Sequence, residues 1–116
     1  QTIYLQIAES ICEKIVQLVY PEEGKIPSIR SLAIDLQVNP NTVQRTYEHL
    51  QNEGIIYTQR GRGYFVSPGA AGKIKANRRK KFMEKELPNL LKTMLLLDIN
   101  PDTIIEEYKA LKNTKK

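Results

Sequence analysis

The sequence predicts a mostly helical α+β fold: three short helices, a two-stranded hairpin and a two-helix carboxy-terminal tail. Three observations predict it. Apolar residues recur at steps of three and four along residues 3–18, 28–36 and 39–53, with helix-capping residues ahead of the last two stretches. Two β-type runs flank a turn rich in glycine and arginine at residues 59–63. Past Pro68 and Gly69 the composition shifts to Lys/Arg, Leu and Met.

In the first helix Ile3, Ile7, Ile11, Ile15 and Leu18 are expected to face inward, with Glu9, Glu13, Lys14 and Gln17 outward. Pro21 to Lys25 breaks it. Ser28 is the expected N-cap of the second helix, whose inner face is Leu32, Ala33 and Leu36. Gln37 and Val38 link to Asn39-Pro40, a cap followed by proline at the first helical position, where its missing N–H costs nothing. Val43, Tyr47 and Leu50 form the inner stripe of this third helix, and Gly54 stops it. Strands are expected at residues 55–58 and 64–66, joined by a turn.

Pro68, Gly69 and Gly72 mark a boundary, dividing the chain into residues 1–68 and a helical tail of residues 69–116. The first tail helix carries Phe82, Met83, Leu87, Leu90, Leu91, Met94 and Leu97, and Pro88 is expected to kink or split it near Leu87. The second starts at Asn100-Pro101 and presents Ile104, Ile105, Tyr108 and Leu111.

Composition bounds the function. The chain has 116 residues, 41% of them hydrophobic, which suits one folded domain with an appendage. Its longest apolar cluster, Met94 to Leu97, is far short of the ~20 residues of a membrane span, so no membrane role is expected. No secretion signal is read at the amino terminus. Cys12, the sole cysteine, permits no internal disulfide, and a cytoplasmic location fits. Residues 1–68 hold six Lys/Arg and seven Asp/Glu, a net of −1; residues 69–116 hold twelve and six, a net of +6. Together they make the +5 of the whole chain. An anionic partner is implied, but in the first segment the placement of charges counts for more than their sum.

Two short helices with a tight join, followed by a hairpin, follow the order of a winged helix-turn-helix. The second helix of such a pair sets its amino-terminal outward residues in the DNA major groove. Here these are Asn39, Asn41, Thr42, Gln44 and Arg45. Arginine pairs with guanine O6 and N7, and asparagine or glutamine with adenine N6 and N7. Threonine and the helix amino terminus suit phosphates. Four of the six basic residues in this segment, Arg30, Arg45, Arg60 and Arg62, fall on the positioning helix, the recognition helix and the wing tip.

Residues 26–66 resemble the DNA-binding domain of the GntR family. The motifs that carry the resemblance are Pro27-Ser28-x-Arg30-x-Leu32-Ala33, Val38-Asn39-x-Asn41-Thr42-Val43, Leu50-x-x-Glu53-Gly54, and Arg60-Gly61-x-Gly63 with Phe65-Val66. The match covers nearly all of residues 3–67, and the short tail resembles that of the YtrA-like subfamily, whose two carboxy-terminal helices dimerise. The resemblance implies phosphate and base contacts at Arg30, Asn39, Asn41, Thr42, Gln44 and Arg45, and wing contacts at Arg60, Gly61 and Arg62. Some family members carry arginine at the position of Pro40; this chain does not, so the resemblance implies that this base contact is lost or falls to Arg45.

Other functions find less support. Gly61 and Gly63 lack the surroundings of a phosphate-binding loop and read as a tight turn. His49 has no metal-ligand companions at suitable spacing and reads as a surface or phosphate-facing residue. Cys12 reads as a small buried hydrophobe. No nucleophile–base pair stands out, so no enzyme is expected, and no cofactor motif is present. The basic run of Lys73, Lys75, Arg78, Arg79, Lys80 and Lys81 has two open readings, a solvated helix start or an arm that contacts phosphates.

The expectation is a sequence-specific DNA-binding regulator, a repressor acting as a homodimer on a near-palindromic operator. Its partners are double-stranded DNA and a second copy of the chain, and the tail is too short for a large ligand domain. Leu87, Leu90, Leu91, Met94, Leu97, Ile104, Ile105, Tyr108 and Leu111 are the expected dimerisation residues, because a hairpin of two such helices has more apolar surface than it can hide alone. The alternative is a winged helix used as an architectural or protein-interaction module without sequence preference.

Overall fold

The computed structural model describes residues 2–114. Helix α1 (Ile3–Val16) buries Ile7, Ala8, Ile11 and Ile15, one stripe at three- and four-residue steps. Helix α2 (Ile29–Leu36) starts where expected: the Ser28 hydroxyl accepts the Ser31 N–H at 3.0 Å. Helix α3 (Pro40–Asn52) starts after Asn39, whose side-chain oxygen accepts the Asn41 N–H at 2.8 Å. Both α1 and α2 pack on α3, which contributes Val43, Thr46, Tyr47 and Leu50 to the core. Gly54, at φ +74°, lets the Ile55 N–H return to the Leu50 carbonyl at 2.9 Å and so closes α3.

Three residues expected to face inward do not. Ile3, Leu18 and Leu36 are exposed. Ile3 is the first residue of α1, ahead of the turns that are buried. Leu18 lies past the end of α1 with φ +64°, so it has left the helical stripe. Leu36 ends α2 just before Gln37 adopts a left-handed conformation, one turn beyond buried Leu32 and Ala33.

Strands β1 (Ile56–Gln59) and β2 (Gly63–Val66) pair antiparallel, with Ile56 opposite Val66 and Gln59 opposite Gly63. Residues 21–25 do more than break α1. The Glu23 N–H donates to the Val66 carbonyl at 2.7 Å, the Val66 N–H to Gly24 at 2.9 Å, and the Ile26 N–H to Tyr64 at 3.0 Å. Lys25 also bridges Phe65. This segment therefore covers the outer edge of β2, satisfying backbone groups that would otherwise stay unpaired.

Helix α4 (Ala70–Lys81) begins straight after the hairpin, with Gly72 inside it. Ala70 and Ile74 join the core cluster, and Glu22 accepts the Gly69 N–H at 2.8 Å. The first compact unit of the chain reaches Asn77, and the second starts at Arg78. In the second unit a π-helical turn (Phe82–Glu86) leads into α5 (Leu87–Leu96), followed by α6 (Pro101–Thr114). The break expected at Pro88 takes the form of this turn, while Lys81 and Leu87 keep right-handed helical angles. Proline lacks the N–H for the usual helical bond and its ring crowds the carbonyl four residues back; a widened turn relieves both. Asn100 caps α6 by accepting the Asp102 N–H at 2.9 Å, the same grammar as at α3. Among the described residues no helix is long and apolar enough to cross a membrane.

Candidate nucleic-acid interface

Capping by Asn39 fixes the phase of α3, and that phase divides its residues. Val43, Thr46, Tyr47 and Leu50 point into the core, while Asn41, Gln44 and Arg45 are exposed in its first two turns. Thr42 is half-buried, and its carbonyl accepts from the Thr46 hydroxyl at 3.1 Å. Asn39 has its side-chain oxygen committed to the cap, which leaves its amide donors for a partner. Arg30 is exposed on the first turn of α2.

At the hairpin tip Arg60, Gly61 and Arg62 are all exposed. The Arg62 N–H donates to the Gln59 carbonyl at 2.8 Å, and Gly61 occupies the third turn position at φ +76°, the conformation a type II turn reserves for glycine. The Arg62 guanidinium lies 5.9 Å from the Phe65 ring of its own hairpin.

Helix α3 is anchored from beneath by polar contacts that periodicity alone does not reveal. Buried Thr46 donates to the Tyr4 carbonyl at 2.8 Å, joining α3 to α1. The Tyr47 hydroxyl donates to the Pro27 carbonyl at 2.6 Å, and its ring meets Tyr64 edge-on at 4.9 Å. Burial, with smaller contributions from Tyr20 and Tyr64, holds the Tyr47 phenol well above the usual tyrosine range. Its O–H therefore stays a donor. These contacts tie α3 to the loop before α2 and to the wing together.

Tyr4 was not among the residues the sequence pattern selects, yet the Arg45 guanidinium lies 4.0 Å from its ring centroid. His49 meets the same ring edge-on at 6.1 Å and lies 3.5 Å from Glu53. The signal available in the sequence was that Tyr4, Ala8, Ile11 and Ile15 share one helical stripe. Lys73, the first residue of the basic run, donates from its ammonium to the Glu53 carbonyl at the carboxy-terminal end of α3. A cation is favourable at that end of a helix. Lys75 and Arg78 to Lys81 are exposed.

Of the expected dimerisation residues, Leu90, Leu91, Leu97, Ile104, Ile105, Tyr108 and Leu111 are exposed and Leu87 is half-buried. Met94 is already covered, at 6% exposure, whereas its neighbours Leu95 and Leu96 are each 80% exposed. Helix α6 buries no residue. Cys12 is partly buried against the core of the first unit. Among the described residues no group of three His, Cys, Asp or Glu side chains is placed to hold a metal.

Residues 3–66 match the family described as bacterial regulatory proteins, gntR family. The chain is 36% identical to the HTH-type transcriptional regulator YhcF of Bacillus subtilis (strain 168), over 93% of this chain and 88% of that protein. It is 43% identical to the HTH-type transcriptional repressor YtrA of the same organism, over 59% of this chain and 52% of that protein. A crystal structure of a GntR-family regulator from Bacteroides thetaiotaomicron superposes with a TM-score of 0.79 at 38% identity, covering 99% of this chain and all of that one. The DNA-binding domain of AraR, solved in complex with operator ORX1, superposes with a TM-score of 0.56 at 28% identity, covering 58% of this chain and 81% of that one.

Proposed function

We propose that this chain, which belongs to the gntR family of bacterial regulatory proteins and is therefore a DNA-binding transcriptional regulator rather than an enzyme, represses transcription as a homodimer on a near-palindromic operator. The observation that carries the reading is the first two turns of α3. They expose Asn41, Gln44 and Arg45 on a helix held rigidly from its opposite face by Thr46 and Tyr47. In this reading Arg45, Gln44 and Asn41 meet base edges, Arg30, Asn39 and Thr42 meet phosphates, and Arg60, Gly61 and Arg62 meet the flanking groove. The AraR domain solved on its operator supports the mode of binding, and the printed role of YtrA supports repression.

The homodimer reading is supported by α6, which buries none of its residues and leaves Tyr108 and Leu111 67% and 71% exposed. Leu95 and Leu96 join the residues expected to pair. A two-fold pair of recognition helices reads two inverted half-sites about one helical turn apart, which is the origin of a near-palindrome.

Selection of bound duplexes from a random pool tests the reading. The expected product is an inverted pair of half-sites spaced by roughly 10 base pairs, and placing it over a promoter should lower reporter output when the protein is supplied. Recovery of unrelated sequences would return the chain to a module without sequence preference. A single unpaired half-site would remove the dimer, and higher reporter output would replace repression by activation.

A further inference from the structure

We propose that Tyr4 of α1 is a positioning residue for operator recognition, a fixed aromatic platform that holds the Arg45 guanidinium ready for DNA. The inference rests on the reading of α3 as the recognition helix.

Tyr4 is held by three residues of α3 at once. Thr46, fully buried, donates to its carbonyl at 2.8 Å and fixes its backbone. His49 packs edge-on against the ring at an interplanar angle of 80°. Arg45 lies over the ring at 4.0 Å, well inside the ~6 Å range of a cation–π contact. Arg45, Thr46 and His49 lie at the edge of α3 that borders α1, so the platform is built by the packing of these two helices.

How arginine is held decides what it can still do. A carboxylate partner would occupy its N–H edges, and among the described residues no carboxylate forms a salt bridge with Arg45. An aromatic ring on which the guanidinium lies flat uses only its face. The in-plane N–H fork stays available for two parallel bonds to a guanine edge or to a phosphate. Stacking also removes rotamer freedom before DNA arrives, so less is lost on binding. A long, exposed side chain is thereby given a defined direction without losing a donor.

The test uses the full chain, the duplex it selects from a random pool, and a scrambled duplex of equal length. Affinities are measured for the natural chain, Tyr4→Phe, Tyr4→Leu, Arg45→Ala and the Tyr4→Leu/Arg45→Ala pair. Tyr4→Leu should weaken binding to the selected duplex by roughly two- to fivefold, the scale of one partly exposed cation–π contact. Tyr4→Phe keeps the ring face and should match the natural chain. In the Arg45→Ala background Tyr4→Leu should have no further effect. A Tyr4→Leu loss of the same size without Arg45, a Tyr4→Phe loss as large as that of Tyr4→Leu, or no loss at all would each overturn the proposal.

NMR of the natural chain gives a second reading that needs no variant. The Arg45 side-chain protons should be shifted upfield by the Tyr4 ring and should stay shifted in the complex with the selected duplex. Loss of that shift on binding would mean that Arg45 leaves the ring, and would overturn the proposal as well. The underlying assignment fails separately: Arg45→Ala would then bind the selected and scrambled duplexes as tightly as the natural chain does.

Discussion

Two residues show how differently a single side chain serves the interface. Arg62 stands exposed at a hairpin tip whose turn is made by Gly61, and its guanidinium only grazes Phe65. It has little structural work, so its removal should be felt on DNA alone. Arg62→Ala is expected to weaken binding across sequences and to lower the slope of log affinity against log salt by about one per protomer. An unchanged slope would take Arg62 off the phosphates. Tyr47 is the opposite case, a buried residue that never meets DNA but joins α3 to the Pro27 carbonyl and to Tyr64. Tyr47→Phe is expected to cost about 0.5–1.5 kcal/mol in denaturant unfolding, because the part-buried Pro27 carbonyl loses its donor. Its pH signature follows from burial, the largest cause of the raised phenol. The folded state holds this proton more tightly than the unfolded chain does. The stabilisation is therefore complete below the ordinary tyrosine value near pH 10 and is lost as pH rises beyond it. The natural chain should lose stability above about pH 10 more steeply than Tyr47→Phe. Equal slopes would contradict the burial argument.

At the scale of elements, caps and exposed faces follow local rules. Ser28, Asn39 and Asn100 each close a helix start with a side-chain oxygen, and such caps contribute about 0.5–2 kcal/mol. Helix α4 departs from this local logic, because its first turns are held from outside by Glu22 at Gly69 and by burial of Ala70 and Ile74. Gly72 lies within this helix, and a Cβ built there meets no atom within 4 Å. Gly72→Ala is therefore expected to stabilise the chain by about 0.4–1 kcal/mol, measured as a higher denaturant midpoint with the same slope. A lower midpoint would place an unrecognised neighbour at Gly72. The basic run splits the same way: Lys73 is committed to the end of α3, while Lys75 and Arg79 to Lys81 are exposed.

For the whole molecule the decisive quantity is apolar surface left uncovered. Helix α6 exposes Ile104, Ile105, Tyr108 and Leu111, and α5 exposes Leu95 and Leu96, so a lone chain keeps much of its tail in contact with water. Self-association is the response the proposed function requires. Ile105→Glu should leave thermal unfolding of the first unit unchanged, because Ile105 is 49% exposed and lies outside the core cluster of that unit. It should shift sedimentation from dimer to monomer at tens of micromolar, the scale of ~7 kcal/mol of association. It should also remove preference for two half-sites over one. A variant that still sediments as a dimer would move the interface off α6. Truncation is a blunter tool, and ending the chain at Pro68 would strip Ala70 and Ile74 from the core of the first unit.

Much of the fold was legible because its causes are local. Periodicity located α1, α2 and α3, the serine and Asn-Pro caps set the starts of α2 and α3, and the Arg-Gly-x-Gly turn placed the wing. Groove-reading residue types at the start of α3 then named the candidate interface. Contacts between residues distant in sequence carry no such signature. The pairing of residues 23–26 with β2, the extension of the first core to Ile74, and the exposure of Ile3, Leu18 and Leu36 came only with tertiary structure. So did the seat of Arg45 on Tyr4, forty-one positions away in the chain. Helix propensity and capping act within a few residues, and one sequence can display them. Which exposed arginine rests on which ring depends on how α1 crosses α3, and that is settled only when the two helices share a core.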